Sequence, residues 1–300
     1  MSADVRIEDR EAIMSDAVRA VVNFTVPIYV SVSDGELQLD RTAILLRVGE
    51  VHFLLTAMHG LPELSRPEIR IFAQPGDGKP RPVELTGSNL SLLSPPFDVA
   101  VAKIGPTDVS RLGRTALTLR DLNLVDDWDS TTQFLICGYP IAIGTRKVSV
   151  VGPVHTPRPF TRSVSLYEGV FETPDKISKD VHLAVTWEKR FDCVEYDGKL
   201  IEKDAGLTKT PKAPGISGGG IWRLGLHPEH ETKTEAARFR CKLSAIQHSV
   251  HAGMDYAIGT RVGIALYLIW KEYPALRPEI ERVFPNTFPI IPPLSRSAIR

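Results

Sequence analysis

Residues 214–222 have the sequence Pro-Gly-Ile-Ser-Gly-Gly-Gly-Ile-Trp, in which Ser217 stands among glycines and is followed by an apolar run. Glycines let a backbone turn so tightly that several peptide N–H groups can converge on one point. A serine hydroxyl is a weak nucleophile at neutral pH. Chemistry at Ser217 therefore needs an imidazole base, a carboxylate that orients this base, and donors for an oxyanion.

Two other stretches supply an imidazole and a carboxylate at matching places. His59 follows the apolar run FLLTAM at 53–58, and Asp98 precedes the run VAVAKI at 99–104. Both runs are rich in residues that favour strands, so each polar residue stands at the end of a predicted buried strand. The three stretches together indicate a catalytic group more strongly than the serine loop does alone.

These stretches resemble the motifs of the trypsin-like (chymotrypsin-fold) serine peptidases. The chain is similar to a bacterial-type intracellular member of that family. LLTAMHG at 54–60 is similar to the family's histidine turn, DVAVAKI at 98–104 to its aspartate strand, and GISGGG at 215–220 to its serine loop. The chain order His, Asp, Ser is also the family's. The resemblance implies that His59 is the general base, Asp98 its orienting carboxylate and Ser217 the nucleophile, with an oxyanion hole from the N–H groups of Gly215 and Ser217.

The resemblance also implies substrate-binding residues. LSAIQHSV at 243–250 is similar to the family's substrate-pairing strand, which includes His248, Ser249 and Val250, although His248 fits an ordinary half-buried strand position equally well. AIGTRV at 257–262 is similar to the strand that closes the primary pocket, with Ala257 on its wall. Pro211 falls where trypsin carries an aspartate, so we expect an uncharged residue at the cleavage position and no preference for Arg or Lys.

The pattern of apolar residues predicts an all-β chain with a helix near each end. We expect two packed antiparallel β-barrels, at 26–125 and 126–262, the second with an insertion at about 156–210. A helical extension at 1–25 is expected to pack on the outside. A helix and a Pro-rich tail occupy 263–300.

Composition excludes several classes of protein. The 36 basic and 36 acidic residues give no net charge, which argues against a nucleic-acid partner. No apolar run has the length of a membrane span or a signal peptide. The three cysteines, Cys137, Cys193 and Cys241, form no CxxC pair, so we expect neither disulfides nor a zinc site, and a cytoplasmic location.

Two competing interpretations of single motifs carry less weight. Gly215-x-Ser217-x-Gly219 also satisfies the nucleophile-elbow pattern of α/β-hydrolases, but the strands before it do not alternate with helices. His227 and His230 could be imagined as metal ligands, yet no third ligand stands at a recognisable spacing. We expect no metal and no cofactor.

The sequence thus predicts a serine endopeptidase that acts on a polypeptide substrate through an acyl-enzyme intermediate and is restrained by narrow specificity or by a regulatory protein partner. A quality-control, stress or defence role is compatible with it. The alternative is a protease-fold module that binds peptides without cleaving them. The two differ in whether the Gly215 N–H faces the site.

Overall fold

The computed structural model describes residues 7–33, 36–59, 71–73, 81–83, 90–94, 96–125, 127–141, 147–149, 159–169, 171, 177–187, 190–191, 208–209, 214–225, 240–285 and 287. Within these ranges the chain is mostly β-structure. The strands are β1 (Thr25–Ser33), β2 (Glu36–Val48), β3 (Val51–Ala57), β4 (Ile71–Ala73), β5 (Arg81–Val83), β6 (Leu90–Leu93), β7 (Val99–Ile104), β8 (Gln133–Gly138), β9 (Lys147–Ser149), β10 (Phe160–Ser165), β11 (His182–Thr186), β12 (Arg190–Phe191), β13 (Thr208–Lys209), β14 (Gly220–Gly225), β15 (Arg240–His251) and β16 (Tyr256–Arg261).

The first sheet has eight strands in the order β5-β4-β1-β2-β3-β7-β6, with β9 paired to β2 outside this path. Its pairs are antiparallel. β2 and β3 form a tight hairpin in which Val48 pairs with Val51 and Gly49 adopts a φ of +58°. The sequence predicts this hairpin, and a glycine suits it because side chains rarely tolerate positive φ.

The second sheet has six antiparallel strands in the order β10-β8-β14-β15-β16-β11. Beyond its end, Leu166 forms an isolated bridge with Val185, which connects the chain after β10 to the opposite edge strand β11. β12 and β13 make a separate two-stranded ladder.

Four α-helices lie in the described ranges: α1 (Ile7–Phe24), α2 (Pro106–Leu112), α3 (Val262–Glu272) and α4 (Arg277–Val283). Among them, none combines the length and the apolar character that crossing a bilayer demands. α2 begins with Pro106 after Gly105 and ends at Gly113, which has a φ of +56°. Proline at the first helical position and a left-handed glycine after the last one are typical helix boundaries.

The largest hydrophobic cluster joins both sheets. It contains Val18 and Val21 of α1, Phe53 of the first sheet, Trp222 of the second sheet and Leu266 of α3, all buried. The ring of Phe24 at the end of α1 also stacks on Trp222 with centroids 5.9 Å apart. α1 is therefore part of the shared core and not an external element, because its apolar stripe covers the gap between the two sheets.

The prediction of a mostly β chain with helices near both ends is confirmed as two antiparallel sheets with few helices. The closed double barrel stays a prediction, as do the domain bounds. One strand differs in its assignment: β9, expected with the second set of strands, pairs with Glu36–Gln38 of β2 in the first sheet. β2 extends beyond the residues that pair with β3, so the backbone groups of Glu36–Gln38 are available to β9. β10 and β11, which fall within the predicted insertion at 156–210, are strands of the second sheet.

Candidate active site

His59 and Asp98 meet at one end of the first sheet. β3 and β7 are neighbours in which Ala57 pairs with Val99, so the residues just outside this pair lie side by side. The Asp98 Oδ2 accepts from the His59 Nδ1 at 2.7 Å, and its Oδ1 accepts from the His59 backbone N–H at 2.7 Å. The carboxylate thus fixes both the ring and the backbone of His59, whose side chain is 49% exposed.

Asp98 itself is buried and has an unusual backbone. Its φ is +44°, a conformation that costs free energy for a residue with a side chain and that Asp and Asn tolerate best. Burial, the largest single influence, raises the pKa of Asp98, but the hydrogen bonds and charge of His59, helped by His248, outweigh it and hold the pKa below its ordinary 3.8. The carboxylate is therefore ionised at neutral pH.

Arg41 stabilises the turn that carries His59. Its guanidinium is 6% exposed and donates to the carbonyl oxygens of Ala57 at 3.1 Å and His59 at 2.9 Å. Arg41 is not among the site residues predicted from the sequence. The available signal was a charged pair, Asp40-Arg41, placed directly before an apolar run in a strand, where a buried charge needs several hydrogen bonds.

Thr42 joins the serine loop to the first sheet. Its backbone N–H donates to the Ser217 carbonyl at 2.9 Å, and its hydroxyl donates to the Gly215 carbonyl at 2.7 Å. The same hydroxyl accepts from the Tyr139 N–H at 2.9 Å. Thr42 is fully buried, so these bonds lock one strand of the first sheet to the loop that carries Ser217. Thr42 is likewise absent from the residues predicted from the sequence.

The glycines of the serine loop have the conformations expected for a tight turn. Gly215 has a φ of +94° and Gly218 a φ of +88°. The Gly218 N–H donates to the Gln247 carbonyl at 2.7 Å, and the Gln247 N–H donates to the Gly219 carbonyl at 2.8 Å. Within the described residues, neither the Gly215 N–H nor the Ser217 N–H donates to another backbone group, so the predicted oxyanion hole stays a prediction.

The Ser217 hydroxyl does not bond to His59. It donates to the His248 carbonyl at 3.4 Å, and the described residues contain no hydrogen bond between the Ser217 side chain and the His59 ring. The structure thus brings His59 to Asp98 directly, and connects Ser217 to Asp98 through His248, whose Nδ1 lies 3.7 Å from the Asp98 Oδ2.

The predicted substrate-binding residues do not all lie together. Val250 pairs with Ala257, and Ser249 with Ile258, across β15 and β16 next to the serine loop. His248 is next to Ser249 in the chain but faces Asp98. Pro211 lies outside the described residues, as do His227 and His230 of the metal-site alternative. Among the residues that the structure describes, no cluster of three metal-binding side chains occurs.

A second histidine borders His248. The two rings of His182 and His248 lie edge to face with centroids 5.7 Å apart. Burial, with smaller effects from the neighbouring His182, His59 and His251, lowers the pKa of His248 to about 4, although the Asp98 carboxylate acts to raise it. Burial also lowers the pKa of His182. Both rings are therefore neutral at pH 7.

We expect the folded state to lose stability when the pH falls from about 7 to about 5. The unfolded chain takes up a proton on His248 near pH 6.5, whereas the folded chain does so only near pH 4, so acid favours unfolding. This residue alone contributes a loss of about 2 kcal/mol over that range. Urea unfolding at both pH values should show a smaller loss in His248→Asn; an equal loss in both proteins would contradict the burial of a neutral His248.

Gly218→Ala is expected to destabilise the fold by about 2–5 kcal/mol. A Cβ at this position meets the Thr42 carbonyl and the Thr56 hydroxyl, and its φ is +88°. The matched control is Gly225→Ala, because no atom of the residues that the structure describes lies within 4 Å of the new methyl there. Urea unfolding compares the two variants. An effect of Gly218→Ala no larger than that of Gly225→Ala would contradict the close contact between the serine loop and β2.

Comparisons with known proteins leave the family open. The chain matches no family model and no curated protein. A solved structure of Rv3671c from M. tuberculosis H37Rv, an inactive form with serine replaced by alanine, is similar with a TM-score of 0.44 and 12% identity, over 90% of this chain and 95% of that one. At these values the likeness carries no argument about this chain.

Proposed function

We propose that this protein is a serine endopeptidase in which His59, Asp98 and Ser217 form the catalytic triad. One observation carries the proposal: the His59 Nδ1 bonds to the Asp98 carboxylate at 2.7 Å. In addition, Thr42 anchors the Ser217 loop to the same sheet. A carboxylate on Nδ1 holds the imidazole in the tautomer whose Nε2 can accept a proton. Ser217 is the serine whose hydroxyl proton this imidazole accepts.

The mechanism follows from the three groups. His59 removes the proton from the Ser217 hydroxyl as the oxygen attacks the scissile carbonyl, and Asp98 stabilises the imidazolium that forms. In this proposal the N–H groups of Gly215 and Ser217 stabilise the oxyanion. His59 then protonates the leaving amine and activates the water that hydrolyses the acyl-enzyme. The hydroxyl of Ser217 must first leave the His248 carbonyl, and such bonds often tighten only when substrate binds.

The proposal includes two barrels that pack against each other with the triad between them. The bridge between Leu166 and Val185 supports closure of the second sheet, because it joins the chain after β10 to the opposite edge. The bonds of Thr42 to the serine loop support the packing of the second sheet on the first.

The substrate in this proposal is an extended polypeptide that presents an uncharged residue at the cleavage position. The cross-strand pair Val250 and Ala257 supports this preference, since both side chains are apolar. Ser249 is a further residue of the proposed pocket, and Pro211, which lies outside the described residues, stays an expectation from the sequence. Narrow specificity or a partner protein restrains the activity. Cys137 and Cys241 are buried free thiols, which suits a reducing cytoplasm.

One observation favours a second candidate, a module that binds peptides without cleaving them. The Ser217 hydroxyl bonds to the His248 carbonyl instead of the His59 ring. In a binding module this arrangement persists when a peptide occupies the cleft, and the serine is never activated.

Cleavage of a peptide library separates the two candidates. The purified protein is incubated with peptides derived from a denatured proteome, and mass spectrometry identifies new termini. The endopeptidase proposal predicts new termini with an uncharged residue before the cleaved bond, which are absent with Ser217→Ala. Peptides that are retained without any new termini would support the binding module.

A further inference from the structure

His248 stands at an irregular point of β15. The pairing of β15 with β16 shifts between Gln247 and Ser249, so His248 is the extra residue of a β-bulge. A bulge bends the strand and turns its extra side chain away from the regular alternation. Here the His248 ring is turned toward Asp98 on the first sheet, with its Nδ1 3.7 Å from the carboxylate Oδ2.

The surroundings of the His248 ring determine which nitrogen carries the proton. Its Nδ1 lies 3.7 Å from the Asp98 Oδ2 and 3.1 Å from the Ser249 hydroxyl, whereas its Nε2 is buried without a hydrogen-bond partner among the described residues. A proton on Nε2 lets Nδ1 accept from the Ser249 hydroxyl, but it leaves a buried donor unpaired and points the Nδ1 lone pair toward a carboxylate 3.7 Å away. A proton on Nδ1 places the positive end of the N–H dipole beside the carboxylate.

The ring of His182 packs against the ring of His248. Its Nδ1 accepts from the Ser178 N–H at 3.1 Å, which leaves its Nε2 to donate to the Pro96 carbonyl at 2.7 Å. Both nitrogens of His182 are thus satisfied in one neutral form. Its ring packs edge to face on the His248 ring, and the Nε2 of His248 is buried.

His248 also contacts the nucleophile through its backbone, since its carbonyl accepts from the Ser217 hydroxyl at 3.4 Å. We propose that His248 is a positioning residue, whose neutral ring presents Nδ1–H to the Asp98 carboxylate and holds this carboxylate in the plane that orients His59. The inference rests on the proposed function of the triad. In the mechanism above, only His59 contacts the Asp98 carboxylate. The inference adds the imidazole of His248 as a second group that contacts it.

The first test is the rate at which a fluorophosphonate probe labels Ser217. His248→Leu removes the N–H but retains an apolar side chain, and we expect labelling to slow about 10- to 100-fold, because a small misplacement of a catalytic group has effects of this size. His248→Asn retains an N–H near the position of Nδ1, and we expect a rate within about 5-fold of wild type. Equal rates for wild type and His248→Leu, or equal losses in both variants, would overturn the proposal.

The second readout is the proton that His59 donates to Asp98. In a proton NMR spectrum this hydrogen should give a far-downfield resonance that disappears in Asp98→Asn. We expect it to persist in His248→Asn and to broaden or disappear in His248→Leu, while far- and near-UV circular dichroism show that both variants are folded. An unchanged resonance in His248→Leu would overturn the proposal. If folded wild type is not labelled at all, the proposed function fails, but this resonance still decides the role of His248.

Discussion

Ser217→Ala is expected to lower kcat for peptide cleavage by about 10⁶-fold, since removal of the nucleophile of a serine triad has effects of this size. No other group of the site can form the acyl-enzyme. Stability should change little, because the lost hydroxyl makes one long bond, of 3.4 Å, to the His248 carbonyl. The measurement is the initial rate on a fluorogenic peptide taken from the cleavage sites of the library, together with urea unfolding of each protein.

The matched control for this variant is Ser163→Ala. Ser163 is an exposed serine of β10, and its loss should leave the rate unchanged. A Ser217→Ala protein that retains more than about 1% of the wild-type kcat would contradict the assignment of the nucleophile.

Asp98→Asn is expected to lower kcat by about 10⁴-fold with a smaller effect on KM. The carboxylate accepts from both the ring and the backbone N–H of His59, at 2.7 Å each. An amide has only one accepting oxygen and offers an NH₂ group in place of the other, so the imidazole is driven into the wrong tautomer. Asparagine tolerates the φ of +44°, so the backbone should not change.

Asp255→Asn is a matched control for Asp98→Asn. Asp98 and Asp255 are the two described non-glycine residues with positive φ, at +44° and +56°, so the two variants make the same chemical change on similar backbones. Asp255→Asn should keep wild-type kcat. A loss of less than about 10-fold in Asp98→Asn would indicate that Asp98 supports the turn but does not orient a catalytic base.

The parts of the site that lie at strand ends could be predicted from the sequence. Apolar runs end at His59 and begin after Asp98, and such a pattern specifies both strands and the residues at their ends. The family resemblance implied that His59 and Asp98 act together. The pairing of β3 with β7, in which Ala57 lies opposite Val99, brings the two residues to the same end of the sheet. The glycines around Ser217 predicted a tight loop because positive φ suits few other residues.

Contacts between the sheets could not be predicted in the same way. Thr42 and Arg41 act on loops that are distant in the chain, and a polar residue in a strand shows no sign of which group it will bond. α1 was predicted from its apolar period, but the period does not say that the stripe packs on both sheets. The pairing of β9 with β2 likewise depends on tertiary structure.

His248 shows why local pattern is insufficient at the site itself. The sequence left it as either a substrate-contacting residue or a half-buried strand residue. In the structure a β-bulge places the His248 ring next to Asp98 instead. The residue types at 247–249, Gln-His-Ser, do not predict this bulge. The neutral ring of His248 beside the ionised Asp98, with the buried His182 packed on that ring, became visible only in three dimensions.

The most direct test of the central claim, that Ser217 is an activated nucleophile, is labelling of the folded protein with a fluorophosphonate probe. This reagent reacts with an activated serine and needs no known substrate. We predict labelling of wild type at Ser217, located by peptide mass mapping, and none in Ser217→Ala or His59→Ala. Folded wild-type protein that stays unlabelled, both alone and with peptides that it retains, would contradict the claim and favour the binding module.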